Sequence, residues 1–163
     1  TRRSSDLGVQ GGYMDKELFC KNKWSIPKEL ADGVFISPPI IFVNSVTNPS
    51  YASQTDTLIH EYRHYIYGIQ NPNYQITYKS PKNSKDYRAW YLYLQDRNEQ
   101  SAHKDQIKFE LGLGKSYDEI IRDKVGGKIT TDNYPIALKF SELVQDAVKE
   151  MEEEEKNYEE SIG

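Results

Sequence analysis

Two histidines four residues apart, with a glutamate directly after the first, are the residues of this chain best suited to do chemistry. They form the sequence His60-Glu61-Tyr62-Arg63-His64. On a helix, His60 and His64 would lie one turn apart on the same face, so both imidazoles could reach one point in space. Two imidazoles supply two ligands of a tetrahedral zinc site. Glu61 lies about 100° around the helix, which places its carboxylate beside the metal, where it can take a proton from a zinc-bound water.

A short pattern of this kind also arises by chance, so its surroundings matter. The chain has only three histidines, and two of them belong to the motif. The neighbouring residues Leu58, Ile59, Tyr65 and Ile66 are apolar, which predicts a helix packed on a core rather than a solvated surface helix. We therefore interpret the motif as a zinc site, with chance occurrence as the alternative.

A catalytic zinc site uses three protein ligands and a water, so a third ligand must come from elsewhere in the chain. The residues after His64 lack the glycine and the histidine of the class in which a third histidine follows the motif. Cys20 is the only cysteine, which excludes paired-cysteine zinc sites and intramolecular disulfides. On a long helix predicted downstream, Glu99, Ala102 and His103 share one face. Glu99 is the candidate third ligand, the small Ala102 would let two helices approach closely, and His103 is the alternative ligand.

Taken together, His60-Glu61-x-x-His64 and Glu99-x-x-Ala102-His103 resemble the gluzincin branch of the HExxH zinc metallopeptidases. In that branch a glutamate on a following helix is the third ligand. The minigluzincins, the CAAX-type membrane peptidases and the ImmA/IrrE-type phage and stress-response peptidases share this arrangement. The resemblance covers about residues 33–112 and implies Zn²⁺ as the cofactor, bound by His60, His64 and Glu99. This chain departs from the family at His103, where family members usually carry an acid or amide that orients a ligand histidine. His103 would take that role as a neutral acceptor or be the third ligand itself, and purely structural roles for Glu99 and His103 are a further alternative.

The resemblance also implies a reaction, the hydrolysis of peptide bonds in a peptide or protein substrate. Glu61 would be the general base that activates water, and Tyr87, Tyr117 or His103 would donate a hydrogen bond to the oxyanion. Two other functions stay open. The chain would be a catalytically silent zincin-fold structural or interaction module of a larger assembly, for example of a phage, or a partner-specific regulatory protease of the ImmA/IrrE kind.

Length and composition restrict the remaining possibilities. The 163 residues suffice for one domain with a core, and we predict a single zincin-like domain over residues 1–150, with residues 1–12 as a polar arm. No stretch approaches the roughly 18 apolar residues of a membrane span, and no basic face suited to nucleic acid is visible. Residues 151–163 hold six Glu and one Lys, which predicts an acidic C-terminal tail. The start at Thr1 shows no signal peptide and indicates processing or excision from a longer polypeptide, and localisation stays unknown.

The pattern of apolar residues predicts an α+β fold, with a short β-sheet over the motif helix and a helical C-terminal half. Strands are predicted at residues 33–37, 40–44 and 74–79. Helices are predicted at residues 14–24, from Ser53 or Thr55 to about Gly68, from 84 or 85 to between 112 and 114, from 116 to about 125, and from Asn133 past 148.

Overall fold

A computed structural model describes residues 10–14 and 39–163, and the helices and strands given below lie in these ranges. The chain divides into two units, Thr1–Pro72 and Asn73–Gly163. The first unit contains strands β1 (Gly11–Met14) and β2 (Ile40–Val43) and helix α1 (Tyr51–Gln70). The second contains helices α2 (Tyr87–Tyr93), α3 (Arg97–Gly112), α4 (Tyr117–Val125) and α5 (Tyr134–Ile162). The predicted α+β class, the short sheet and the helical C-terminal half are confirmed.

The sheet of the first unit is an antiparallel pair in which Gly11 lies opposite Val43. A Cβ atom on Gly11 would come within 2.6 Å of Thr57 Cγ2 and 2.7 Å of the Phe42 carbonyl oxygen. The missing side chain therefore lets β1 lie directly against α1. Gly11 and Gly12, at the end of the predicted arm, are strand residues, and β2 confirms the predicted strand at 40–44 to within one residue. Met14 also belongs to β1, while Cys20, the rest of the predicted helix at 14–24 and the predicted strand at 33–37 lie outside the described residues.

One buried amide ties both strands to the helix. Asn48 is only 2% exposed, and its Nδ2 donates to the carbonyl oxygens of Gln10 (2.7 Å) and Asn44 (2.8 Å). Its Oδ1 accepts the hydroxyl of Thr57 at 2.9 Å. A buried primary amide needs partners for both its donors and its acceptor, and here those partners are the ends of the two strands and a residue of α1. The contact lies three residues before His60, so it fixes the sheet beside the motif.

Helix α1 begins one turn earlier than the sequence predicts. Its N-cap is Ser50, which has extended backbone angles (φ −101°, ψ 155°) and accepts a hydrogen bond from the Ser53 backbone N–H at 3.1 Å. The Ser53 hydroxyl oxygen in turn accepts the Ser50 N–H at 3.3 Å, which completes a capping box. The prediction of Ser53 or Thr55 as the N-cap is therefore wrong, because Ser53 is the third helical residue. The helix itself is confirmed, and it ends at Gln70, two residues after the predicted Gly68.

The long helix predicted from residue 84 or 85 to residues 112–114 is two helices, α2 and α3. The break falls at Asp96, whose backbone is extended (φ −71°, ψ 126°) and whose Oδ1 accepts the Glu99 N–H at 3.0 Å. An aspartate in this role satisfies the open N–H groups of a new helix, which requires the preceding helix to stop. The predicted strand at 74–79 is also wrong, since these residues form no ladder. Tyr74 and Tyr78, which the alternating pattern puts on one face, hydrogen-bond to side chains at the start of α3 instead.

The core of the second unit is built around the buried apolar residues of α5. The buried residues of this core are Leu94, Ile107, Ile120, Ile136, Phe140, Leu143, Val144 and Ala147. Helix α4 is confirmed with its predicted ends, because the Ser116 hydroxyl accepts the Glu119 N–H at 3.2 Å and Gly126 closes the helix with φ 81°. Helix α5 continues to Ile162 and therefore includes most of the acidic segment 151–163.

The polar side of α5 is attached to α3 by ion pairs. Lys104 Nζ lies 2.6 Å from Glu150 Oε1, and Lys108 Nζ lies 2.8 Å from Glu150 Oε2.

Across residues 10–14 and 39–163, no helix is long and apolar enough to cross a bilayer.

Candidate metal centre

In the first unit, α1 brings the two motif histidines together. The ring centroids of His60 and His64 are 4.7 Å apart and their planes are inclined at 83°. Two imidazoles whose nitrogens bind one tetrahedral zinc at about 2.1 Å have centroids about 5 Å apart. The 4.7 Å spacing of this pair is close to that value. Both rings are half-buried, as is Glu61, so all three side chains keep access to solvent.

The sheet braces the motif from its own side of the helix. Tyr65, directly after His64, contacts Tyr13 of β1 edge-on, with centroids 6.2 Å apart. Together with the Asn48 contact at Thr57, this places one support before the motif and one after it. Both supports act on residues next to the motif, so they hold the helix that carries His60, Glu61 and His64.

In the second unit, Glu99 and His103 lie on the same face of α3, one turn apart. A carboxylate oxygen of Glu99 and a ring nitrogen of His103 are within 4.8 Å of each other. Glu99 is 7% exposed and stands in the first turn of the helix, where the helix dipole favours negative charge. The carboxylate is held by the Tyr78 hydroxyl, which donates to Glu99 Oε1 at 2.7 Å. A buried, oriented carboxylate next to an imidazole is a donor pair of the kind that binds zinc.

The hydroxyls of Tyr78 and Tyr74 donate hydrogen bonds to two carboxylates at the start of α3, those of Glu99 and Asp96. Burial, and then the negative charge of Glu99, raise the pKa of Tyr78 well above its ordinary value, so the phenol stays protonated and donates at neutral pH. Tyr74 donates to Asp96 Oδ2 at 2.7 Å, and burial followed by this hydrogen bond raises its pKa as well. The sequence did not single out either tyrosine. Their spacing of four residues, ahead of Asp96 and Glu99, was the available signal, but it favoured a strand.

His103 is fixed by side chains from α2 and α5. Its Nε2 lies 2.8 Å from the Tyr93 hydroxyl, and its ring meets Phe140 edge-on at 5.4 Å. Since Nε2 is engaged, any further partner of this ring must use Nδ1. The imidazole is 9% exposed, so its orientation is set by the core of the second unit. Tyr93 is another residue that the sequence did not identify.

The two tyrosines proposed as oxyanion donors have different surroundings. Tyr87 packs against the core of the second unit. Tyr117 begins α4 and is largely exposed. Tyr78 and Tyr93 are the tyrosines whose hydroxyls hydrogen-bond to Glu99 and His103.

Comparisons with protein-family models, with curated proteins and with solved structures give no match for this chain. A function must therefore be argued from its own residues.

Proposed function

We propose that this protein is a zinc-dependent metallopeptidase that hydrolyses peptide bonds, with His60, His64 and Glu99 as zinc ligands. The observation that carries the proposal is the pair of histidine rings, 4.7 Å apart on one face of α1 with Glu61 next to them. Two imidazoles and one carboxylate are a donor set used by catalytic zinc, which leaves a fourth position for water or substrate. The buried Glu99 carboxylate, already oriented by a neutral donor, supports its choice as the third ligand.

The chemistry divides between the ion and the protein. When bound, zinc acts as a Lewis acid that polarises a substrate carbonyl and lowers the pKa of water. Glu61 accepts the proton of the attacking water and passes it to the leaving amine. Glu61 is half-buried on the helix that carries the histidines, so its carboxylate can contact water.

Metal analysis of the purified 163-residue chain tests the ligand set. We expect one zinc per chain and a strong loss of zinc in His60→Ala, His64→Ala and Glu99→Ala, because each change removes one of three protein ligands. Lys79→Ala, an exposed position outside the two motifs, is the matched control and should keep the metal. Normal zinc content in Glu99→Ala would show that Glu99 is not the third ligand and that His103 or another group has this role.

Casein cleavage with and without a chelator tests the reaction. Glu61→Gln should keep zinc and lose hydrolysis, because the amide preserves the size of the side chain but cannot accept a proton at neutral pH. Undiminished cleavage by this variant would remove Glu61 from the mechanism. A zinc-loaded wild type without general proteolysis would favour a catalytically silent module or a partner-specific regulatory protease.

A further inference from the structure

The Glu99 carboxylate accepts a hydrogen bond from a neutral donor, the hydroxyl of Tyr78. The Tyr78 hydroxyl donates to Glu99 Oε1 at 2.7 Å, and the carboxylate is buried. A buried carboxylate needs hydrogen-bond donors to offset the loss of water. A lysine or arginine would also supply a donor, but its positive charge would compete with a metal cation for the same oxygens. A phenol supplies a donor to one oxygen without bringing a positive charge of its own.

Tyr78 is itself held in place by an aromatic series from α2. Its ring meets Tyr93 at right angles, with centroids 5.3 Å apart and planes at 89°. Tyr93 in turn meets Trp90 at 5.3 Å and 84°. Perpendicular contacts of this kind are favourable for aromatic rings and restrict their rotation. These contacts and the hydrogen bond to Glu99 favour one orientation of the Tyr78 ring, in which its hydroxyl lies against Glu99 Oε1.

We propose that Tyr78 is a positioning residue that holds the Glu99 carboxylate in the orientation in which it binds zinc. This inference rests on the proposed function, in which Glu99 is the third zinc ligand. Ligand carboxylates depend on such outer hydrogen bonds, and loss of one typically lowers metal affinity about 10–100-fold. Tyr78 would thus set how tightly the metal is held without contacting it.

The chain contains a closely matched control. Tyr74 lies in the same segment and makes a hydrogen bond of the same length, 2.7 Å, to the carboxylate of Asp96. Asp96 caps α3 and is not a proposed ligand. Phenylalanine at position 78 removes a hydroxyl from the proposed ligand, whereas phenylalanine at position 74 removes one from the helix cap.

The experiment compares the full-length wild type, Tyr78→Phe and Tyr74→Phe by zinc affinity, measured through competition with a chromophoric chelator. Cobalt is substituted for zinc, and the visible spectrum reports the geometry of the ligands. Tyr78→Phe should lower zinc affinity about 10–100-fold and change the cobalt spectrum. Tyr74→Phe should keep the wild-type spectrum and an affinity within about threefold of the wild type, because its carboxylate lies outside the ligand set. Helical circular dichroism verifies that each variant is folded.

Several results would overturn the inference. Wild-type affinity and spectrum in Tyr78→Phe would show that the hydroxyl does not orient Glu99. Equal weakening in Tyr74→Phe, or loss of helical signal in Tyr78→Phe, would indicate a structural role only. In a Glu99→Ala background, Tyr78→Phe should have no further effect on residual zinc binding, and an additional loss would contradict the coupling. A wild type that binds no zinc would instead refute the proposed function, which separates the two failures.

Discussion

Asn48→Ala is expected to loosen the attachment of the two-stranded sheet to α1, the helix that carries the motif histidines. The Asn48 side chain donates to the carbonyls of Gln10 and Asn44 at 2.7 and 2.8 Å and accepts the Thr57 hydroxyl at 2.9 Å. Alanine removes these three hydrogen bonds, and a longer one of 3.4 Å to the Thr47 hydroxyl, at a site that is only 2% exposed. No proposed ligand is changed, so the variant tests the support of the site and not the site itself.

The size of the destabilisation depends on whether each former partner of Asn48 keeps another hydrogen bond. A typical internal hydrogen bond contributes about 1 kcal/mol net, so the loss of three predicts about 3 kcal/mol. Both carbonyls keep a backbone partner, since the Gln10 oxygen also accepts the Asn44 N–H at 2.8 Å and the Asn44 oxygen accepts the Asn48 N–H at 3.0 Å. The buried Thr57 hydroxyl loses its bond to Asn48, and it carries the largest single share of the penalty. A total of about 3 kcal/mol is a large part of the 5–15 kcal/mol that typically stabilises a domain.

Amide hydrogen exchange of peptides from residues 39–72 measures the effect where it should occur. A loss of about 3 kcal/mol corresponds to exchange roughly 100-fold faster through local opening. Thr57→Val removes only the hydroxyl and should cost about 1 kcal/mol. The double variant should cost less than the sum of the two single changes, because it no longer contains a buried donor deprived of its acceptor.

Two outcomes would refute this account of Asn48. Exchange in residues 39–72 that changes less than about threefold would show that the amide contributes little to stability. Strict additivity in the double variant would show that the Asn48–Thr57 contact is not coupled. Zinc adds a further check, because a ligand at about 100 times its Kd stabilises the folded state by about 2.7 kcal/mol. Excess zinc should therefore restore most of the protection in Asn48→Ala, but not when His60→Ala is also present.

Three further predictions concern the second unit. His103→Asn should retain zinc with affinity lowered about 10–100-fold at most, whereas Glu99→Gln should lose it, and metal analysis giving the reverse order would exchange their roles. Burial alone would raise the pKa of Glu150, but hydrogen bonds from Lys104 and Lys108 outweigh burial and lower it. Glu150 therefore contributes to the free energy of unfolding at pH values above its unfolded pKa, and this contribution is lost as the pH falls through the lower pKa of the folded state. In urea unfolding at several pH values, Glu150→Gln should remove this part of the acid sensitivity. Since the Glu150 side chain is 37% exposed, we expect a contribution below about 1 kcal/mol. Truncation after Glu150 should preserve folding and zinc content, because the buried part of α5 ends before it, and loss of soluble zinc-bound protein would show that the removed segment docks.

The sequence determined the elements whose signals are local. The apolar stripe of α5 identified a buried helix, and the Ser116 cap and Gly126 fixed the ends of α4, because caps and periodicity act within one or two turns. The same local rule put His60 and His64 on one face of α1, since residues four apart on a helix are neighbours. The sequence failed where a local signal had two meanings. The helix predicted from residue 84 or 85 to residues 112–114 runs through Asp96, which is in fact the cap at which a new helix begins.

The partners that lie far apart in the sequence became known only from the fold of each unit. Asn48 bonds to Gln10 across 38 positions, and Tyr78 bonds to Glu99 across 21. The alternation at residues 74–79 correctly indicated that Tyr74 and Tyr78 share a face, but it could not say that their partners are carboxylates of α3 rather than a neighbouring strand. Periodicity states the direction in which a side chain points relative to its own backbone. The identity of the group it meets depends on how the chain folds back on itself, and that is set by packing and by the requirement that every buried polar group find a partner.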